Sequence, residues 1–119
     1  MFHVTEVVVA DFEFAQPPGD PPRPICLVAR ELLSGRTHRL SGGDLLSRRH
    51  PPYPTGKDAL FVTFFTPTEI ACYIALGWQL PFNVLDLYVE FRNITNGLYL
   101  PCGRGLLGAS LYHGLIELL

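Results

Sequence analysis

Asp11 and Glu13 stand two residues apart in VVVADFEF, part of a run dense in β-branched and aromatic residues that reads as a first strand, β1 (residues 4–14). Residues i and i+2 of a strand leave the same face, so the two carboxylates project side by side from its C-terminal end. Neighbouring carboxylates repel and raise each other's pKa, and a divalent cation relieves this. Oxygen donors of this kind suit Mg²⁺ or Mn²⁺. The plainer reading is a strand end fraying into solvent with two merely exposed acids, and Asp-x-Glu alone does not separate the two. Glu69 falls one turn into a helix expected over 66–78, and Asp86 lies in VLDL, where apolar neighbours make a casual charge costly.

The elements that must position these acids follow from pattern. Five prolines between Pro17 and Pro24 end β1 in an exposed loop. ICLVARELL (25–33) forms β2, SGR a turn, and THRL (37–40) β3, and so short a connection makes the pair antiparallel. Residues 41–58 read as loop with one helical turn at Asp44–Ser47, and ALFVTFF (59–65) as a buried strand, β4. In TPTEIACYIALGW, Thr66 or Thr68 can cap, Pro67 fits a first turn, and Ile70, Tyr73, Ile74 and Gly77 recur at helical spacing. VLDL (84–87) is β5, LYVEFRNI (87–94) a helix stopped by Asn96-Gly97, and residues 105–119 a last amphipathic helix. This order implies an α/β fold with a mixed sheet. Ribonuclease-H-like folds place such strands with β1-β2-β3 antiparallel and β1-β4-β5 parallel, helices packing on the sheet, and right-handed crossovers permit it. In that arrangement all four acids converge where open α/β sheets form their sites, outside the carboxyl ends of the strands. Another mixed α/β sandwich satisfies the same element order.

Composition bounds the class. A chain of 119 residues suits one domain over 1–119. With 48% hydrophobic residues and a net charge of −2 it is not a disordered chain. ALFVTFF and IACYIALGW fall short of the ~18 apolar residues that a membrane span needs. The N-terminal residues lack the basic start and cleavage site of a signal peptide, so an intracellular, cytoplasmic protein without a membrane partner is expected. Cys26, Cys72 and Cys102 are scattered, which argues for buried reduced thiols and against a disulfide framework or structural zinc.

Seven of the nine basic residues fall between Arg23 and Lys57, opposed there only by Glu31 and Asp44, so that segment carries +5 and the remainder −7. It reads either as a phosphate-binding arm beside a metal site, with Arg39, Arg48, Arg49 and Lys57 as candidates, or as one solvated hairpin. Arg92 can contact phosphate or simply pack along its helix. Trp78, Phe82 and Tyr88 can stack on bases, but core packing is the favoured reading. GRGLLG (103–108) lacks the Lys-Ser/Thr of a phosphate loop, and no Ser-His-Asp grouping appears.

VVVADFEF resembles the first motif of the DEDD family of 3′–5′ exonucleases. FFTPTEIACYIALGWQLPFNVLDLYVEFRNITNG, followed by GRGLLGASLYHGL, is similar to the exonuclease region of phage-type and related bacterial DNA polymerases of the polymerase I family. The shared order is a strand, a Thr/Ala-Glu helix, Leu-Gly-Trp with Leu-Pro, Leu-Asp-Leu, Glu-Phe-Arg, Thr-Asn-Gly and a Leu-Leu-Gly-Ala helix. The resemblance covers residues 4–14 and 59–115, and the middle matches only in layout. It implies a ribonuclease-H-like fold with Asp11 and Glu13 as ligands of two Mg²⁺ or Mn²⁺ ions. Glu69 would be a further ligand where many members carry Asp, and Asp86 a secondary acid or structural residue. The family's third motif, an Asp with Tyr or His four residues before it, has no counterpart in this chain, since no Asp follows Tyr112 or His113 at that spacing. The domain is therefore expected to be C-terminally incomplete relative to the family, with the second metal held weakly.

Three functional readings result. The first is a metal-dependent 3′–5′ exonuclease domain acting on a single-stranded DNA end, attached to a DNA polymerase domain or completed by a C-terminal partner segment. The second is a truncated, catalytically silent module that binds nucleic acid or a polymerase partner. The third is an unrelated small α/β binding protein.

Overall fold

The computed structural model describes residues 3–115. Five strands, β1 (Glu6–Ala15), β2 (Arg23–Glu31), β3 (Thr37–Ser41), β4 (Ala59–Thr63) and β5 (Val84–Asp86), form one sheet in the order β3-β2-β1-β4-β5. The β1–β2 and β2–β3 pairs are antiparallel, and β1–β4 and β4–β5 are parallel, as expected from the element order. Four helices accompany them: α1 (Gly42–Leu46), α2 (Thr66–Leu76), α3 (Leu87–Ile94) and α4 (Leu106–Tyr112). The last is shorter than expected. It ends in a turn through Gly114 at φ 71°, and residues 116–119 of the expected helix lie outside the described residues. No helix among the described residues is long and apolar enough to cross a membrane.

Alternation along β1 sets the core. Val8, Ala10 and Phe12 point to one face, where they meet Leu27 and Ala29 of β2, Phe61 of β4, Leu45 of α1, and Cys72 and Tyr73 of α2. Phe12 lies 6.0 Å from both the Tyr73 and Trp78 rings, so the C-terminal half of β1 is fixed by aromatic contacts. The long segment before β4 is anchored in the same core. Tyr53 is buried with its hydroxyl 2.7 Å from that of Tyr73, and the Trp78 indole N–H donates to the Arg48 carbonyl at 3.0 Å. Burial pushes both tyrosine hydroxyls above their ordinary pKa.

On the opposite face the parity of β1 presents Val9, Asp11 and Glu13. There Val62 of β4 is buried, and Phe64 lines an apolar hollow of about 240 Å³ with Phe91 of α3 and Ala109 of α4. The thiols follow the packing unevenly: Cys72 is buried and Cys26 half-buried, whereas Cys102, expected to be buried, is exposed. Of the glycines in GRGLLG, Gly108 serves packing, because it lies against the Cys102 and Gly103 carbonyls with no room for a Cβ.

Glu31 ends β2 inside the basic segment. Its carboxylate accepts the Val7 N–H at 2.9 Å, the Leu33 N–H at 3.1 Å and the Ser34 N–H at 2.7 Å, which shapes the β2–β3 turn and ties it to β1. The Val7 amide, with Leu33 and Ser34, outweighs burial and holds its pKa down at about 2. A depressed pKa means stability that is present above the ordinary value of 4.5 and is lost as pH falls through about 2. Replacing Glu31 with Gln is expected to lower the melting temperature at pH 7. That deficit should close as pH falls from 4.5 to about 2, and a deficit constant across that range would contradict this role.

Candidate active site

The parallel pairing of β1 with β4 runs from Glu6↔Ala59 to Val9↔Val62 and stops, while β1 continues to Ala15. A backbone amide on that unpaired edge needs another acceptor. Glu69, in the first turn of α2, supplies it: the Phe12 N–H donates to Glu69 Oε2 at 3.0 Å. Glu69 is only 3% exposed, so its carboxylate lies in the wall between strand and helix. Asp11, the residue before Phe12, adds a neighbouring carboxyl group. Burial first, and the neighbouring Asp11 charge second, push the Glu69 pKa up to about 7, against the opposing pull of the Phe12 amide and the Thr68 hydroxyl. Two carboxyl groups are thereby held near one another at the carboxyl end of the central strand.

The four-acid convergence expected from the strand order does not form. Glu13 shares the Asp11 face and is exposed, yet among the described residues no three His, Cys, Asp or Glu side chains are grouped to hold a metal ion. Asp86 is occupied elsewhere. Its Oδ1 accepts the Phe65 N–H at 3.0 Å and the Tyr88 N–H at 2.9 Å, and its Oδ2 accepts the Thr66 N–H at 2.9 Å. Burial raises the Asp86 pKa, but the Thr66, Phe65 and Tyr88 amides outweigh it and hold the carboxyl below its usual range. Asp86 is a cap shared by α2 and α3, which is why a charge tolerates its apolar neighbours.

No family model matches this chain, and no curated protein or solved structure matches it.

Asp86 also explains the entry into α2, where Thr66 or Thr68 was expected to cap. Phe65 occupies the cap position instead, in the left-handed conformation at φ 70° and ψ 74°, and the helix amides are satisfied from β5. A phenylalanine there costs roughly 1–2 kcal/mol relative to ordinary backbone. Thr66 turns inward to meet Thr63, hydroxyl to hydroxyl at 2.7 Å, and the Thr68 hydroxyl donates to the Phe65 carbonyl at 3.1 Å.

The basic candidates are dispersed. Arg39 of β3 stands across Val28 from Asp11, on the same sheet face. Arg48 and Arg49 are exposed beyond α1, and the Trp78–Arg48 bond draws that segment toward the Phe12 end of β1. Lys57 leads into β4, whose start is level with Glu6, so it lies roughly 17 Å along the sheet from Asp11. Its ammonium sits 5.8 Å from the Phe82 ring centroid, at the wrong end to serve the acid pair. Arg92 lies over the Tyr88 ring at 5.7 Å rather than pairing with Glu90. Trp78 is core and Phe82 exposed.

Because the folded pKa of Glu69 is raised, its favourable contribution is complete below 4.5 and is lost as pH rises through about 7. Glu69→Gln keeps an acceptor for the Phe12 amide and turns an uncharged amide toward Asp11. Urea titrations across pH should show the parental protein losing stability over that interval and the variant not. Above pH 7 the variant should be more stable by about 2–3 kcal/mol, and parallel curves would contradict the placement of Glu69.

Proposed function

We propose that this chain is a ribonuclease-H-like, metal-dependent 3′–5′ exonuclease domain that acts on single-stranded DNA ends, of the kind attached to a DNA polymerase. The observation that carries the reading is the juxtaposition of Asp11 and Glu69 at the carboxyl end of the central strand. The mixed strand order β3-β2-β1-β4-β5 supports it.

The donor set suits one ion better than two. Mg²⁺ is commonly held by one or two carboxylates, with waters and substrate phosphate oxygens completing its shell. Asp11 and Glu69 fit that pattern for Mg²⁺ or Mn²⁺, with exposed Glu13 beside Asp11 on the solvent side. When bound, such an ion screens the phosphate and lowers the pKa of an attacking water. The chain's own groups do the rest. The Phe12 amide fixes the direction of the Glu69 carboxyl, and Asp11 lies beside it. A carboxyl titrating at about 7 is matched to taking or giving a proton near neutral pH. Arg39, on the Asp11 face, and Arg48 with Arg49 supply positive charge for the incoming strand.

The second reading, a silent nucleic-acid or polymerase-partner module, is favoured by the lack of any three-donor group among the described residues. Calorimetry with Mn²⁺ and a 3′-labelled single strand separates the two. We expect Mn²⁺ heat that vanishes in the Asp11→Ala, Glu69→Ala variant. We also expect Mg²⁺-dependent loss of 3′ nucleotides, reduced in that variant by on the order of 100-fold. Metal heat without digestion would favour the silent module, and no metal heat would end the metal reading.

A further inference from the structure

A polar hollow of about 410 Å³ opens at the amino end of β1, where Glu6 lies roughly 17 Å along the strand from Asp11. Its floor is the core face of the sheet. Glu6 shares the parity of Val8, Val8 pairs with Glu31, and the Glu31 amide donates to the Arg36 carbonyl at 2.9 Å. One wall is the β2–β3 turn, shaped by the amides that the Glu31 carboxylate collects. The other is Pro52, Tyr53 and Pro54, held in place by the Tyr53–Tyr73 hydroxyl contact. Both walls are fixed by bonds internal to the fold, so the hollow is pre-formed.

Three ionisable side chains face this hollow without a partner. Among the described residues Glu6, Arg36 and His38 make no side-chain hydrogen bond and no ion pair. Glu31 differs, because three amides occupy its oxygens. The Ser34 hydroxyl oxygen accepts the Arg36 N–H at 3.2 Å, which leaves its own proton for a second partner. Arg36 stands two strands across and about two residues along from Glu6, so their Cα atoms are roughly 12 Å apart. An α-amino acid centre, with ammonium and carboxylate on one carbon, is too short to serve both. A ligand with its two charges a side chain's length apart spans the gap. With His38 neutral, the two glutamates against Arg36 leave one negative charge in excess, which favours a ligand of net charge +1.

We propose that this hollow binds a molecule that joins a carboxylate to a guanidinium across one side chain's length, as free arginine does. Arg36 and the Ser34 hydroxyl take the carboxylate, and Glu6 takes the guanidinium. Guanidinium and carboxylate match as a fork to two oxygens, and the site uses that match at both ends with the roles reversed. Leu33 and the proline wall cover the aliphatic stem between them. A polypeptide ending in arginine carries the same two groups without the α-ammonium, and so without the net charge that balances the hollow. The inference is independent of the acid pair and needs no metal.

The test is calorimetry of L-arginine with the full chain in EDTA, where one saturable site is expected. Arg36→Ala and Glu6→Gln should each weaken binding by about tenfold or more. Melting temperatures should stay near the parent's, since Arg36 is exposed and Glu6 is in no pair. Agmatine, which is arginine without its carboxylate, should bind the parent about tenfold more weakly and be indifferent to Arg36→Ala. That comparison decides the carboxylate end even where Glu6→Gln fails to fold. N-acetylarginine imitates a chain end and should bind more weakly than arginine; equal binding would assign the site to a chain terminus instead of the free amino acid. Asp11→Ala, at the other end of the sheet, should bind arginine like the parent. Loss of binding in Asp11→Ala would place the ligand at the acid pair and overturn the proposal. So would unaltered affinity in Arg36→Ala, or no saturable heat at arginine concentrations on the order of 10 mM.

Discussion

Where β4 stops beside β1, the Phe12 amide is left facing an empty ladder position, and the Glu69 carboxylate fills it at 3.0 Å. This bond links the sheet to α2 at one point and orders much around it. The Phe12 side chain, pinned by its own backbone, packs on Tyr73 and Trp78. Trp78 in turn holds the Arg48 carbonyl, and Tyr73 holds Tyr53, so the segment between β3 and β4 is fastened through the same helix. A neutral side chain could satisfy the amide. A carboxylate sunk to 3% exposure beside Asp11 is a costlier choice, and it leaves a proton or a cation as the natural partner of the pair.

The three acids with displaced pKa values show how environment assigns roles to like residues. Glu69 has one amide and a neighbouring negative charge, so burial wins and its pKa rises. Asp86 and Glu31 each gather three amides, and those donors win over burial. The two depressed acids are structural. Glu31 shapes the β2–β3 turn, and Asp86 joins the starts of α2 and α3 while sustaining the strained Phe65. Three charge-assisted bonds outweigh a strain of roughly 1–2 kcal/mol.

Most of the architecture was legible from local pattern. Val8, Ala10 and Phe12 alternate inward as the first strand requires, α3 spans the expected Leu87–Ile94, and the short β2–β3 connection dictated antiparallel pairing. Asp11 and Glu69 were legible as candidates because their types and strand or helix positions are local facts. The fate of Asp86 was not, because its partners Phe65 and Thr66 lie some twenty residues away and meet it only through β4–β5 pairing. Tyr53 was hidden among prolines in a segment that reads as loop, though it is core. Lys57 was grouped with the other basic residues by sequence alone, whereas parallel pairing carries it to the far end of the sheet.

The proposal is that Asp11 and Glu69 form one divalent-cation site. Its most direct test is the anomalous scattering of Mn²⁺ in crystals of the full chain at neutral pH. One strong peak is expected in contact with both carboxylates, at about 2.0–2.3 Å, with the Phe12–Glu69 bond intact. Well-ordered crystals in saturating Mn²⁺ with no peak at this pair, or with the two carboxylates turned apart, would contradict it.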